Sequence, residues 1–397
     1  MWQSAKNAYH LVFAFLASCF YGFPAREMTV IGVTGTDGKT TTASLLFHIL
    51  KVAGKKSALI STVGAEIGEK QYNTGFHVTT PDSQLIQSYI KKAKEAGVTH
   101  LVLEVTSHAL DQYRTFGIPF AYAVITNITH EHLDYHGTYE RYVEVKSRLI
   151  LQSKVGVLNR DDTSYPMLLK LLDGRPNIIT YGKRDADYAM DSLRSVKSSL
   201  TGEYNQYNLL AASAVSQELG ISLEDIKKAA GTYTLPKGRS EIVYDNSFRV
   251  MIDFAHTPNA FLHLLSTIKQ DRKQGRIIHV FGAAGFRDRS KRPRMGEIAS
   301  DYDDCIILTT EDSRGESVDT ILDEIASGII RRNNFPEVYR VIDRQKAIDF
   351  AVSIANKGDI VVVTGKGHEE SMNMGKGEVA WSDHEAVRKA IVTRNEK

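Results

Sequence analysis

The 397-residue sequence predicts an α/β protein in which two successive units each contain a mostly parallel sheet. Short β-branched runs alternate with segments of helical periodicity, which is the pattern of parallel strands joined by helices. A glycine-rich turn follows the first of these runs, and the alternation restarts after Leu235-Pro236-Lys237-Gly238. We therefore place the boundary between the two units at this proline- and glycine-containing segment.

The predicted elements follow one another in a regular order. In the first unit the strand candidates are residues 29–33, 58–61, 100–105 and 121–127, and the helix candidates are residues 41–52, 83–96, 208–219 and 223–230. In the second unit the strand candidates are residues 250–254, 277–281, 305–309 and 360–364, with helices between them. Such alternation implies parallel sheets covered by helices on both faces.

The composition is that of a globular protein, with 42% hydrophobic and 24% charged residues. The net charge is only +2, so no global field attracts nucleic acid or an acidic membrane, and any anion site must be local. The two cysteines, Cys19 and Cys305, provide neither a disulfide framework nor a zinc site, which suits a reducing compartment.

An apolar stretch at residues 9–23 precedes the first strand. It is shorter than the ~20 apolar residues that span a bilayer, and we interpret it as a helix that packs on the first unit. Leu16-Ala17-Ser18-Cys19 resembles a lipoprotein cleavage site, so a signal peptide is the alternative. In the helix interpretation, the large apolar side chains should be buried: Leu11, Val12, Phe13, Phe15, Leu16, Phe20 and Phe23.

The strongest local signal is GVTGTDGKTTT at residues 32–42, between a predicted strand and a predicted helix. Backbone N–H groups of such a loop bind phosphate oxygens, with Lys39 on the β/γ-phosphates and Thr40 on Mg²⁺. Gly35 and Gly38 flank two residues, which is a tighter spacing than the common Walker A motif. The sequence therefore predicts a nucleoside triphosphate site, and the alternative is an ordinary glycine-rich turn.

Two further strand ends carry candidate metal ligands. The run LVLEVTSHAL at residues 101–110 brings Glu104 to the carboxyl edge of the sheet, where a carboxylate can hold Mg²⁺. The run AVITNITHEHLDYHG at residues 123–137 places three histidines and two acids together. Such a cluster suits a metal or anion site, and zinc is the alternative metal.

Eight motifs occur in order along the chain: GTDGKTTT, EVTSHAL, TNITHEHLDYHGTYERYVEVK, GEYNQYNLLAA, GRSE, IDFAHTP, RDRSKRPRMG and GKGHE. Together they resemble the Mur ligases, ATP-dependent amide-forming enzymes of peptidoglycan precursor synthesis, and within that family the tripeptide synthetases (MurE). The resemblance covers about residues 28–385. It implies a P-loop central domain with a mostly parallel sheet at residues 28–236 and a C-terminal Rossmann-like α/β domain at residues 237–397, after an N-terminal helix at residues 1–27.

The resemblance also implies nucleotide and metal sites. It gives catalytic roles to Lys39, Glu104, His132 and Lys146, and it implies two Mg²⁺ ions held by Thr40, Glu104, His132 and Lys146. Lys146 matches the family's carbamylated lysine, in which added CO₂ turns an ammonium into an anionic ligand. The implied ATP-binding residues are Gly35, Thr36, Asp37, Gly38, Lys39, Thr40, Thr41, Asn205, Asn208, Arg239, Asp253 and His256.

Two substrate sites follow from the same resemblance. The residues that match the acceptor site are Thr79, Thr80, Thr106, Gln112 and Arg114. Those that match the site of the incoming amino acid are Arg287, Glu311, Asp312, Arg314, Gly365 and Glu369. The GKGHE form and Arg314 favour meso-diaminopimelate as that amino acid, because an arginine suits its additional carboxylate.

The sequence departs from the family pattern at several positions. Asp37 replaces an asparagine, Phe254 replaces a tyrosine, and residues 311–314 read EDSR where the family has DNPR. Family enzymes also carry a uridine-nucleotide-binding domain of roughly a hundred residues before the phosphate loop, whereas 34 residues precede Gly35 here. We therefore expect a short form in which the N-terminal helix occupies part of that domain's place.

The predicted activity is ATP-dependent addition of an amino acid to a muramoyl-L-Ala-D-Glu-type acceptor through an acyl phosphate. The expected partners are a peptide-sugar-nucleotide and the amino acid, without nucleic acid or membrane, and a cytoplasmic monomer is expected. Two alternatives remain open. One is a related ligase that acts on a folate or polyglutamate chain, and the other is a nucleotide-binding subunit without catalysis.

Overall fold

The computed structural model describes residues 2–72, 79–175, 177–198, 200–272, 274–330 and 336–396. The chain divides into two compact units, Met1–Thr234 and Leu235–Lys397, each with a large sheet of its own. None of the helices in the described ranges has both the length and the apolar character needed to cross a bilayer.

The first unit is built on a nine-stranded sheet in the order β4-β3-β2-β5-β1-β6-β7-β8-β9. Its strands are β1 (Thr29–Thr34), β2 (Ser57–Ser61), β3 (Gly64–Ile67), β4 (Lys70–Tyr72), β5 (His100–Glu104), β6 (Phe120–Ile125), β7 (Ser153–Asn159), β8 (Ile178–Gly182) and β9 (Tyr188–Ala189). Its helices are α1 (Trp2–Tyr21), α2 (Lys39–Val52), α3 (Ser83–Glu95), α4 (Ser107–Asp111), α5 (Leu133–His136), α6 (Tyr139–Leu151), α7 (Tyr165–Leu171), α8 (Glu203–Glu218) and α9 (Leu223–Thr232). Among the strand pairs of the described residues, β3 pairs antiparallel with β2 and with β4, and the other pairs of this sheet are parallel.

The centre of this sheet places the site. Strand β1 pairs in parallel with β5 on one side and with β6 on the other. Val30, Ile31 and Val33 in β1 are fully buried, as expected for a central strand covered on both faces. Because the three strands are parallel, the segments after Thr34, Glu104 and Ile125 leave the same edge of the sheet, where ligands bind in open α/β folds.

The second unit has a six-stranded sheet in the order β10-β11-β15-β12-β13-β14, together with a separate two-stranded hairpin. Its strands are β10 (Glu241–Asp245), β11 (Arg249–Asp253), β12 (Ile277–Phe281), β13 (Cys305–Leu308), β14 (Glu337–Arg340), β15 (Ile360–Thr364), β16 (Ser371–Asn373) and β17 (Glu378–Ala380). Its helices are α10 (Pro258–Asp271), α11 (Lys291–Tyr302), α12 (Val318–Ser327), α13 (Arg344–Ile354) and α14 (Asp383–Asn395). Within the large sheet, as far as the described residues go, β10 and β11 pair antiparallel and the other pairs are parallel.

The predicted α/β class with mostly parallel sheets is confirmed. One predicted helix starts too late, because α8 begins at Glu203 instead of residue 208. Its first two turns bury the polar side chains of Asn205 and Asn208, so they lack the apolar periodicity that would have marked them.

Helix α1 packs on α3, but not through the large apolar side chains that we expected to be buried. Among residues 6–21 of α1, those that are buried are Ala14, Ala17 and Ser18. The Ser18 hydroxyl accepts a hydrogen bond from Gln87 Nε2 at 3.2 Å. By contrast, the exposed side chains include Val12, Phe13, Phe15, Leu16 and Phe20, the last of which is 81% exposed. The two helices approach each other at small residues, so the larger side chains of α1 project away from the contact.

Candidate active site

The phosphate loop joins β1 to α2 at the carboxyl edge of the first sheet. Gly35 and Gly38 both have positive φ values, +154° and +79°. A Cβ atom would lie 1.8 Å from Thr126 Oγ1 at Gly35 and 2.3 Å from Asn208 Oδ1 at Gly38. Glycine is therefore required at both positions, and the loop leads directly into the N-terminus of α2, a favourable place for phosphate.

The end of β6 holds the loop in shape. The Thr126 hydroxyl and Asn127 Nδ2 both donate to Asp37 O, at 2.6 and 3.0 Å, and Asn127 Oδ1 accepts from the Asp37 N–H at 2.9 Å. Lys39 Nζ donates to Thr36 O at 2.7 Å, so the ammonium lies over the loop. We did not single out Thr126 and Asn127 from the sequence, although both lie at the end of a predicted strand.

A cluster of oxygen ligands lies beside the loop. Glu104 Oε1 accepts from the Thr40 hydroxyl at 3.0 Å, and Glu104 Oε2 accepts from the Thr62 N–H at 3.0 Å. The Thr62 hydroxyl lies 3.0 Å from both Glu104 Oε1 and Thr79 Oγ1. The structure thus brings Thr40 and Glu104 together, as expected, and adds Thr62, which we missed because its position depends on β2 lying next to β5.

The three predicted histidines lie among aromatic rings. His130 stacks on Tyr139, whereas His132 and His136 make edge-on or tilted contacts with His108 and Tyr142. His132 caps α5 with φ +56°, and its ring centroid lies 5.0 Å from that of His108. His136 Nε2 lies 3.0 Å from Ser107 Oγ, and burial, followed by the nearby Lys146, lowers the pKa of His136 to about 4. Within the described ranges no group of three or more His, Cys, Asp or Glu residues is arranged to hold a metal.

Lys146 is buried behind the phosphate loop. Its Nζ atom donates to Gly35 O at 2.6 Å and lies 4.7 Å from the centroid of the Tyr142 ring. Burial, reinforced by the Lys39 charge, lowers the pKa of Lys146 well below its usual range. The ring of His132 lies 6.2 Å from the same Tyr142 ring. The two predicted ligands of a second metal thus both neighbour Tyr142.

The five predicted acceptor residues form one connected group. Thr80 Oγ1 donates to Glu104 O at 3.0 Å and accepts from the Thr106 N–H at 2.9 Å. Arg114 donates to Thr80 O at 2.6 Å and to Gln112 Oε1 at 2.7 Å. Through Thr62, Thr79 joins this group to Glu104. A polar surface therefore continues from the phosphate loop along the same sheet edge.

Two predicted nucleotide-binding residues of the first unit are also linked to the loop. Asn208 Oδ1 accepts from the Thr42 hydroxyl at 3.2 Å, and Asn208 Nδ2 donates to Asn205 Oδ1 at 3.2 Å. Because Asn208 also touches Gly38, helix α8 supports the turn that begins α2.

In the second unit, the three predicted nucleotide-binding residues lie together at the carboxyl end of β11. The two carboxylate oxygens of Asp253 accept from the backbone N–H groups of Ser240 and Ala255, each at 2.6 Å. Desolvation raises the pKa of Asp253, and the guanidinium of Arg239 lies 4.5 Å from the Phe254 ring centroid. His256 Nδ1 lies 2.8 Å from Phe254 O. All three side chains thus take part in shaping this loop.

The predicted amino-acid site is a buried cluster of charges at the ends of β13 and β15. Lys366 Nζ lies 2.8 Å from Asp312 Oδ1 and 2.5 Å from Glu369 Oε2. Asp312 Oδ2 lies 3.4 Å from the Arg314 guanidinium. We did not assign Lys366 from the sequence, although it stands inside the GKGHE motif.

Two further predicted residues lie against this cluster. Glu311 Oε2 is buried without a hydrogen-bond partner among the described residues, and burial raises the pKa of Glu311. A Cβ atom at Gly365, φ +104°, would lie 2.7 Å from that oxygen, so Gly365 lets the carboxylate approach the backbone. Arg287 belongs to the loop after β12, in which the Gly285 N–H donates to Asp312 O at 2.7 Å.

Both units match domains of known proteins. The sequence matches the Mur ligase middle domain over residues 33–216 and the glutamate ligase domain of Mur ligases over residues 238–367. A protein of Aquifex aeolicus named UDP-N-acetylmuramoyl-L-alanyl-D-glutamate–2,6-diaminopimelate ligase is 39% identical over 390 residues, which are 94% of this chain and 79% of the relative. A UDP-N-acetylmuramyl-tripeptide synthetase of Roseiflexus sp. is 37% identical and covers 95% of this chain and 81% of its own length.

A solved structure leads to the same family. The structure of a UDP-N-acetylmuramoyl-L-alanyl-D-glutamate–2,6-diaminopimelate ligase superposes with a TM-score of 0.62 at 30% identity, covering 94% of this chain and 80% of that one. The sequence motifs, both sheets and these matches agree, and the chain belongs to the Mur ligase family.

Proposed function

We propose that this ligase uses ATP to join meso-diaminopimelate to the glutamate carboxylate of a UDP-N-acetylmuramoyl-L-Ala-D-Glu acceptor. The observation that carries the proposal is the connected edge of the first sheet, on which the phosphate loop, Glu104 and the Thr80–Arg114 group follow one another. The names of the relatives support the same pair of substrates. The acceptor carboxylate attacks the γ-phosphorus, ADP leaves, and the amine of the amino acid then displaces phosphate from the acyl phosphate.

The donor atoms around Glu104 fit a magnesium ion. Hydroxyl and carboxylate oxygens are the hard ligands that Mg²⁺ prefers, and Mg²⁺ is commonly held by one or two carboxylates together with substrate phosphates. Thr40, Thr62 and Glu104 supply such oxygens beside the loop. Bound there, Mg²⁺ would offset the charge that develops on the phosphates. Lys39 would also offset this charge, because its ammonium can exchange the contact with Thr36 O for one with a phosphate oxygen.

Carbamylation of Lys146 is part of this proposal. Only an unprotonated amine reacts with CO₂, forming the carbamate and releasing one proton. The burial that lowers the pKa of Lys146 favours that neutral form. The carbamate would add an anionic oxygen ligand close to the loop, at the position where Lys146 Nζ now contacts Gly35 O. Together with His132 it would hold a second Mg²⁺.

The choice of amino acid is assigned to the charge cluster of the second unit. Arg314 suits the distal carboxylate of meso-diaminopimelate, and Glu369 and Glu311 suit ammonium groups. The unpartnered oxygen of Glu311 supports this assignment, because a buried carboxylate oxygen without a donor gains most from a bound cation. Replacement of the family's asparagine by Asp312 adds a negative charge 3.4 Å from Arg314, which weakens the attraction for a carboxylate. We therefore expect preference for meso-diaminopimelate over lysine, but only a moderate one.

A coupled assay of ADP release tests the proposed reaction. ADP should appear only when both the acceptor and the amino acid are present, and the product should have the mass of the amide. Lys39→Ala should retain less than about a tenth of the rate, because it removes a charge contact to the transferring phosphate. Lys51→Ala is the matched control, since Lys51 is an exposed lysine of the same helix.

The same assay separates the alternatives. Release of ADP with a folate or polyglutamate acceptor, but not with the muramoyl peptide, would identify a different ligase. Failure to release ADP with every acceptor, despite nucleotide binding, would indicate a non-catalytic subunit. A higher kcat/KM for lysine than for meso-diaminopimelate would overturn the amino-acid assignment alone.

A further inference from the structure

One residue of the proposed amino-acid site has a strained backbone. Arg314 has φ +52°, a left-handed conformation that residues with a Cβ atom rarely adopt. Such strain persists only where surrounding structure fixes the backbone, and it concentrates at functional sites. The contacts that hold Arg314 in this conformation therefore help to decide where its guanidinium points.

The hairpin formed by β16, β17 and the turn between them supplies these contacts. The Arg314 N–H donates to Asn373 O at 2.9 Å, and the Asn373 N–H donates to Asp312 Oδ1 at 3.1 Å. Asp312 Oδ1 also accepts from Lys366 Nζ at 2.8 Å. The edge of β16 is thus hydrogen-bonded to the loop at Arg314 itself and at Asp312, two residues earlier. Asp312 Oδ1 is an acceptor that β16 shares with Lys366, the buried lysine of the GKGHE motif.

The turn of the hairpin contains two glycines in different surroundings. A Cβ atom at Gly375 would lie 2.6 Å from both the N and the Cα atoms of Gly315, which are backbone atoms that cannot rotate away. A Cβ atom at Gly377 would meet nothing within 4 Å. Both glycines have positive φ, +94° and +116°, so replacing either one strains the backbone. Only Gly375, however, touches the loop that carries Arg314.

We propose that this hairpin positions Arg314, and so determines how strongly the enzyme prefers an amino acid with a second carboxylate. Close packing of Gly375 on Gly315 and the two Asn373 backbone hydrogen bonds lock the strained conformation. Displacing the hairpin would let Arg314 relax and would also move Asp312 relative to both of its cationic partners. The inference rests on the proposed role of Arg314 as the carboxylate contact.

Steady-state kinetics of Gly375→Ala, with Gly377→Ala as the matched control, test the proposal. Gly375→Ala should raise the KM for meso-diaminopimelate about tenfold. It should also lower the preference ratio, which is kcat/KM for meso-diaminopimelate divided by kcat/KM for lysine. The KM for ATP should stay within about twofold of the parent value. Gly377→Ala should leave the ratio unchanged. If Gly375→Ala fails to fold, Asn373→Ala takes its place, because it removes the side-chain bonds to Gly375 and Glu378 that close the turn.

Arg314→Ala separates this inference from the proposed function. If Arg314→Ala leaves the preference over lysine unchanged, the carboxylate contact itself is wrong. The other outcome is that Arg314→Ala abolishes the preference while the Gly375 or Asn373 variant keeps the same preference as Gly377→Ala. In that case the hairpin does not position Arg314, and the inference is wrong although the proposed function stands.

Discussion

Replacing Glu104 with glutamine removes one charge from the oxygen cluster while preserving its shape. The amide oxygen can still accept from the Thr62 N–H, and the amide nitrogen can donate to the Thr40 hydroxyl, which now donates to Glu104 Oε1. Each contact keeps a partner, so stability should change by no more than about 1 kcal/mol. Loss of a charge that stabilises the transition state typically costs about 3 kcal/mol, or roughly a hundredfold in kcat.

The assay measures ADP release by Glu104→Gln as a function of Mg²⁺ concentration, alongside thermal unfolding. We expect a kcat about a hundredfold lower, a higher Mg²⁺ requirement and a nearly unchanged Tm. Glu95→Gln, at an exposed position at the end of α3, is the charge-matched control and should behave like the parent protein. A Glu104→Gln enzyme with more than about a third of the parent kcat at the same Mg²⁺ concentration would refute the metal-binding role.

Three further predictions concern other charged groups. Lys146→Ala should be nearly inactive and partly rescued by a small carboxylic acid in the ADP-release assay, and failure of every such acid would argue against the carbamate. Hydrogen bonds from Arg292 lower the pKa of Glu316 to about 2. The ionised carboxylate therefore stabilises the fold above about pH 4.5, and this contribution is lost as the pH falls towards 2. In urea unfolding, the free energy of unfolding of Glu316→Gln should fall less steeply between pH 4.5 and 2 than that of the parent. An equally steep fall in both proteins would contradict this role of Glu316. Arg344 and Asp383 form a fully buried ion pair, so Arg344→Met alone should lower the free energy of unfolding by about 3–5 kcal/mol, because it leaves a buried charge without a partner. Adding Asp383→Leu should restore most of that loss in urea unfolding. Equal losses in the single and double variants would contradict this prediction.

Regular elements with an apolar core face were predictable from the sequence. Strands such as β1, β12 and β15 are short β-branched runs buried on both faces, and their predicted ranges agree with the structure to within a residue. The short strands β3, β4 and β9, at or next to the edges of the first sheet, were not predicted, because they are brief and partly exposed. Helix α8 was predicted late for a related reason, since its first turns bury amides instead of apolar side chains.

The site was predictable where one motif carries both the backbone shape and the chemistry. The phosphate loop is such a motif, because its glycines, lysine and threonine are consecutive in the chain. Thr62, Thr126 and Asn127 were missed because their roles depend on which strands are neighbours. Strand order in a parallel sheet differs from chain order, and no local pattern reveals it.

Helix α1 shows the limit of counting apolar residues. Its large side chains suggested a buried face, yet the contact with α3 uses Ala14, Ala17 and Ser18. Close helix packing is governed by side-chain size at the crossing point, and the sequence does not show where the crossing point lies. That this helix occupies part of the place of a uridine-binding domain stays a prediction.

The central claim is that ATP activates the acceptor carboxylate as an acyl phosphate, and an isotope-transfer experiment tests it most directly. The acceptor is prepared with ¹⁸O in both oxygens of its glutamate carboxylate, and the products of one turnover with ATP and meso-diaminopimelate are analysed by mass spectrometry. The proposed reaction transfers one ¹⁸O atom to inorganic phosphate, leaves the other in the new amide and releases unlabelled ADP. Unlabelled phosphate, or label found in AMP, would contradict it.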